Sequence, residues 1–205
     1  MNSAARILSV IFHPIFMPLF GIILVVNYDP LIRAFLPGNL QLYLFLAIGF
    51  LTVLAPGLSI LFMKRNGMLS SLKMEDRKER TGPFILMLFY FLLAYYLMRK
   101  INLPTQLYSL FFGAMIVNAI VLISNFKFKI SIHSAATWGI VGAFLALFQV
   151  HYFLNIYLLT TLILLAGLIS AARIQLEDHT LHEVAAGGFL GGIVVYFCVL
   201  EGWFF

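Results

Sequence analysis

Residues 41–63 read QLYLFLAIGFLTVLAPGLSILFM, an apolar run without one charged side chain. A helix needs about 20 such residues to cross the hydrocarbon core of a bilayer. Helical geometry also closes every backbone hydrogen bond inside the segment, as lipid requires. Outward from this run, similar ones fall at about 7–26, 84–98, 106–123, 134–153, 154–171 and 184–200. Asp29-Pro30 and Pro37-Gly38-Asn39 mark the turn between the first and second runs, and Asn102-Leu103-Pro104 divides the third from the fourth. The fifth and sixth are nearly fused, with only His151 and Asn155 hinting at a turn. Pro14 and Pro18 interrupt the first run, which reads as a kinked or partly re-entrant piece. The sequence predicts an all-α, polytopic transmembrane bundle of six or seven membrane helices, with residues 1–205 forming one integral membrane domain.

Composition points the same way. Apolar residues fill 62% of the 205 positions, charged residues 10%, and the mean hydropathy is +1.02. Soluble domains carry about 25% charged residues, so a water-facing shell cannot be built from this chain. No small-residue cleavage pattern follows the first run, which is therefore expected to stay as a membrane segment. The lone Cys198 excludes a disulfide framework and a cysteine metal site. A net charge of +5 suits anionic headgroups or phosphate. Membrane lipids are the expected surroundings, and nucleic acid is not an expected partner.

Three polar connections hold nearly all the charge: 64–80, 125–134 and 173–183. With seven crossings they emerge on one face of the membrane, as a composite site requires. The first contains Lys73 and Arg80, seven residues apart and so on one helical face, with Arg77 on the same stripe. Two cations so placed can hold an anion, or Asp76 and Arg80 can form an ordinary i,i+4 pair on a solvated helix. In the second, Ser131 can cap the following helix, whose first N–H groups attract anions. His133 stands beside that helix end and can move a proton, or it is simply an interfacial residue. In the third, His179 and Glu183 are spaced i,i+4. The carboxylate can hold the Nδ1–H of His179 and leave Nε2 as a nucleophile. Arg173 can bind an oxyanion with two parallel hydrogen bonds.

In order and spacing these residues resemble the type 2 phosphatidic acid phosphatase superfamily. Its signature is Lys, six residues, Arg-Pro; then Pro-Ser-Gly-His; then Ser-Arg, five residues, His, three residues, Asp. The resemblance covers residues 73–183 and the helix behind them. It implies a lipid phosphate substrate and metal-independent transfer through a phosphohistidine, with no cofactor. His179 would be the nucleophile, Glu183 its orienter and His133 the proton donor to the leaving group. Lys73, Arg80, Ser131 and Arg173 would bind the phosphate oxygens. The chain departs from the signature at Thr81, Ile130, Ile132, Ala172 and Glu183. Two apolar segments also separate the first motif from the second, where family members often have fewer.

Two rival uses of the same site stay open at this level: a phosphoryl or phospholipid headgroup transferase, and a non-catalytic phospholipid-binding protein. A metal centre built from Glu177, Asp178, His179, His182 and Glu183 is disfavoured by the company of Lys73, Arg80 and Arg173. His13 and His151 are placed at opposite interfaces and given no role. Gly187, Gly188, Gly191 and Gly192 form overlapping small-residue pairs, suited to close packing inside the bundle. Expectations conflict on sidedness in what reads as a bacterial cytoplasmic membrane. On the motif face fall Arg6, Lys64, Arg65, Lys73, Arg77, Lys78, Arg80, Lys127, Lys129 and Arg173, against Arg33, Arg99 and Lys100 on the other. That count favours a cytoplasmic site, whereas the family resemblance favours an extracytoplasmic one.

Overall fold

The computed structural model describes residues 2–71, 77–152 and 155–202, with only the backbone of 2, 77 and 78. Lys73 and Asp76 lie outside the described residues. Among those described, the regular structure is helical: α1 (Asn2–Ile11), α2 (Met17–Tyr28), α3 (Pro30–Phe35), α4 (Gly38–Gly49), α5 (Ala55–Arg65), α6 (Arg77–Lys100), α7 (Thr105–Ser124), α8 (Ile132–His151), α9 (Ile156–Gln175) and α10 (Leu181–Glu201). Six helices are long and apolar enough to cross a membrane. The chain is a polytopic helical bundle and an integral membrane protein.

One of the six runs unbroken from Gly38 to Arg65 through α4, a π-helical turn at Phe50–Leu54, and α5. Pro56 explains the turn. Proline has no N–H for the preceding turn and its ring crowds the carbonyl four residues back. A locally wider helix, with the Ala55 N–H donating to the Phe50 carbonyl, relieves both.

The N-terminal run departs from the expected single segment at 7–26. Pro14 lacks the N–H for the helical ladder and its ring crowds the preceding turn, and here the chain breaks over residues 12–16 into α1 and α2. Pro18 falls in the first turn of α2, where a missing N–H costs nothing. α2 runs beside α8 from the motif end of the bundle to the far end, where Asp29 Oδ2 meets His151 Nδ1 at 2.5 Å. Asp29 also caps α3 by accepting the Ile32 N–H. α1 turns aside and packs on α9.

The centre of the bundle is α8 against α10, two parallel helices. Gly187 meets the Ser131 carbonyl, Gly191 the Ala135 carbonyl, and Gly142 the Gly192 carbonyl, each too closely for a Cβ. The glycines of α10 thus pack within the chain, backbone against backbone. α7 closes on the same pair through Gly113, which faces Val195. The fused fifth and sixth runs part at Tyr152, which takes a left-handed conformation (φ 54°) and ends α8. Asn155 then caps α9.

Candidate functional site

At the motif end of the bundle α5, α7 and α9 finish and α6, α8 and α10 begin. A cavity of about 240 Å³ opens there, with Arg80, His133, Arg173, His179 and His13 around its polar end. Below them the lining is apolar, reaching Phe91 on α6, Leu110 on α7, Ile140 on α8 and Val195 on α10. From Arg80 to Phe91 the rise along α6 is about 16 Å. Asn118 is the polar group partway down, its amide donating to the Phe84 carbonyl across α7 and α6.

The third motif is held by local geometry. Glu177, in a left-handed conformation (φ 58°), turns the chain after α9, and the His179 N–H returns to the Arg173 carbonyl at 3.3 Å. Thr180 then caps α10 in a capping box with Glu183. One carboxylate oxygen, Glu183 Oε2, accepts both the Thr180 N–H at 3.1 Å and the Nδ1–H of His179 at 2.9 Å. The neutral ring therefore carries its proton on Nδ1 and keeps Nε2 as a lone pair. Burial pushes His179 below the usual 6.5 of a histidine. The hydrogen bond and charge of Glu183 oppose this, while Arg173 and Arg80 add to it.

Arg173, at the end of α9, reaches Asp178 with Nη2 at 3.0 Å. Its Nε is buried and has no hydrogen-bond partner among the described residues. An unpaired buried N–H costs about 1–3 kcal/mol, and more on a charged group, and an anion between Arg173 and its neighbours would satisfy it. Arg80, in the first turn of α6, stands close enough to act on His179. Of the remaining ionisable residues, Asp178 is committed to Arg173, and Glu177 and His182 are exposed.

The second motif divides. Ser131 has no exposed surface, and it is not among the cavity-lining residues. Its hydroxyl accepts the Ser134 N–H as a helix cap, and its N–H donates to the Glu183 carbonyl at 3.1 Å. Its place is thus structural and joins the second motif to the third. Ile132 fills the position where the signature it resembles has Gly, and Gly187 lies against the Ser131 carbonyl. His133, 8% exposed, lines the cavity. Its Nε2 is 3.2 Å from the Ser9 carbonyl, a bond in which the ring N–H donates.

Sequence reading missed His13. The break between α1 and α2 brings its ring to 5.3 Å from that of His133, edge to face, on the cavity wall. The ring keeps an exposed face at the cavity mouth, and partial desolvation on the wall, then the Arg173 charge, push it, too, below 6.5. The one available signal was the His13-Pro14 dipeptide inside an otherwise apolar run, where a helix must open and a polar side chain needs a destination. His151 sits at the opposite end of α8, paired with Asp29. No protein-family model, curated protein or solved structure matches the chain.

Proposed function

We propose that the protein is a membrane-embedded phosphatase that hydrolyses a lipid phosphate monoester or diphosphate through a phosphohistidine. One observation carries the reading: an oriented imidazole, the His179–Glu183 pair, stands with Arg173 and Arg80 at the polar end of an apolar cavity within the helices. A phosphate on a hydrocarbon chain matches both ends of that cavity.

In the first step His179 Nε2 attacks phosphorus. A P–N bond forms, the P–O bond to the lipid breaks, and the electron pair leaves with the lipid oxygen, which takes a proton. Glu183 steadies the positive charge that develops on the ring. Arg80 and Arg173 oppose the charge spread over the phosphoryl oxygens, the main requirement of this transfer. Lys73 is assigned the same task by the resemblance. His133 is the proton donor that the resemblance implies. With Nε2–H held by Ser9, Nδ1 is the nitrogen left for that task; it donates only from the imidazolium form and regains its proton from the attacking water in the second step. In the second step water attacks the phosphohistidine, the P–N bond breaks and inorganic phosphate departs.

The test is phosphate release by the purified chain from phosphatidate, phosphatidylglycerophosphate, prenyl diphosphates and lipid A. Water must suffice as acceptor; a need for added alcohol would indicate a transferase. His179→Ala should abolish turnover while substrate binding largely persists, and the acid-labile phosphoenzyme should vanish with it. Near-normal turnover in that variant would overturn the mechanism.

A further inference from the structure

We propose that His13, contributed by the opened N-terminal helix, binds the substrate phosphate as a neutral hydrogen-bond donor. The assignment rests on the reading of the cavity as a phosphate site, but it concerns a residue outside all three motifs.

The argument begins at the backbone. Pro14 forces the turn after His13, and within it the Ile15 N–H donates to His13 Nδ1 at 3.3 Å. An imidazole nitrogen that accepts a hydrogen bond carries no proton, so the single proton of the neutral ring sits on Nε2. Nε2 lies on the ring edge away from that turn, and the ring lines the same cavity wall as His133, Arg173 and His179. Protonation of both nitrogens would set two N–H groups against each other at Ile15. His13 is therefore built to donate from Nε2 and stay uncharged. Four residues earlier, one helical turn away, the Ser9 carbonyl takes the ring proton of His133. The end of α1 thus sets the tautomers of two imidazoles, one on its own chain segment and one on α8. A neutral donor beside two arginines adds a directed bond to a phosphate oxygen without adding a third full charge.

Two side chains separate this role from a structural one. Asn places its carbonyl where Nδ1 lies and can accept the Ile15 N–H, preserving the turn, but it has no group at the Nε2 position. Gln places its amide N–H where Nε2 lies. The experiment measures binding of orthovanadate and of inorganic phosphate to the purified full-length chain, alongside phosphate release from the best lipid substrate. His13→Ala and His13→Asn should each weaken anion binding about tenfold, as for a lost hydrogen bond to a charged partner, and His13→Gln should restore most of it. The pH profile of His13→Gln should match the wild type, because no proton is transferred. Restoration by Asn, no effect in any variant, or Gln no better than Ala would each overturn the proposal. Anion binding that follows this pattern without lipid turnover would uphold the role of His13 and reject the phosphatase reading instead.

Discussion

Glu183 occupies the place where the resembled family has Asp, and its neighbours give the longer side chain a physical reason. One oxygen must reach back to the Thr180 N–H to close the capping box and must also hold His179. A Glu at the third helical position does the first of these as a matter of ordinary helix chemistry. The same bond sets a pH dependence. His179 is pushed below 6.5 chiefly by burial, so it stays neutral and nucleophilic at pH 7. Phosphate release should fall on the acid side, with the midpoint of that limb below pH 6.5, as the ring protonates. Glu183 favours the protonated ring, so Glu183→Gln should lower the rate and move the acidic limb to still lower pH. A limb that moves upward in that variant would contradict the assigned pairing. His179 and Glu183 were legible in sequence because an i,i+4 relation is local. His13 was not, because its relation to His133 exists only after tertiary packing.

Among the elements, α8 and α10 behave as one strut that carries the second motif and Glu183 of the third. Their contact is made of backbone, at Gly142, Gly187 and Gly191, and Ser131 and Ser134 fasten their first turns through the Glu183 and Val184 carbonyls. A methyl group at Gly191 would press on the Ala135 carbonyl, a backbone atom that cannot rotate away. Gly191→Ala should therefore destabilise the protein by about 1–3 kcal/mol, the usual cost of overpacking. It should also displace His133 relative to His179. Gly167 on α9 has nothing near its missing Cβ, and Gly167→Ala should be neutral or gain up to about 1 kcal/mol of helix propensity. Thermal unfolding in detergent compares the two; equal behaviour would mean the close approach is not what holds the helices. Small-residue spacing announced this contact in the sequence. The π-turn at Phe50–Leu54 was not announced, because Pro56 lies within a run whose hydrophobicity hides the break.

Across the whole molecule, the positions of six long spans followed from apolar runs, but not all their lengths: the run read at 84–98 belongs to a span of Glu79–Lys100 that continues through Pro83. The shape of the first 36 residues did not follow, because a proline tells where a helix opens and not where the freed segment goes. Charge gives a prediction of sidedness. Among the described residues, Lys64, Arg65, Arg80, Lys127, Lys129 and Arg173 gather at the cavity end, and Arg33, Arg99 and Lys100 at the other. By the positive-inside rule the cavity end should face the cytoplasm. In a Cys198→Ser background, Lys127→Cys in cells should resist an impermeant maleimide, and Arg99→Cys should react with it. The reverse pattern would place the site outside.

The pairing of Asp29 with His151 has a consequence in time. The aspartate leaves the ribosome 122 residues before its partner, by simple subtraction of 29 from 151. At synthesis rates of about 5–20 residues per second, it waits about ten seconds before the histidine exists. Throughout that interval α2 offers a twelve-residue, largely apolar helix followed by a carboxylate, a segment too short to span the bilayer and too greasy to leave it. The nascent chain must shelter this piece at the insertion machinery or the membrane surface, then thread it beside α8 once that helix arrives. α2 also meets α4, which is made soon after it, so what closes late is the contact with α8 and with it the cavity wall that carries His13.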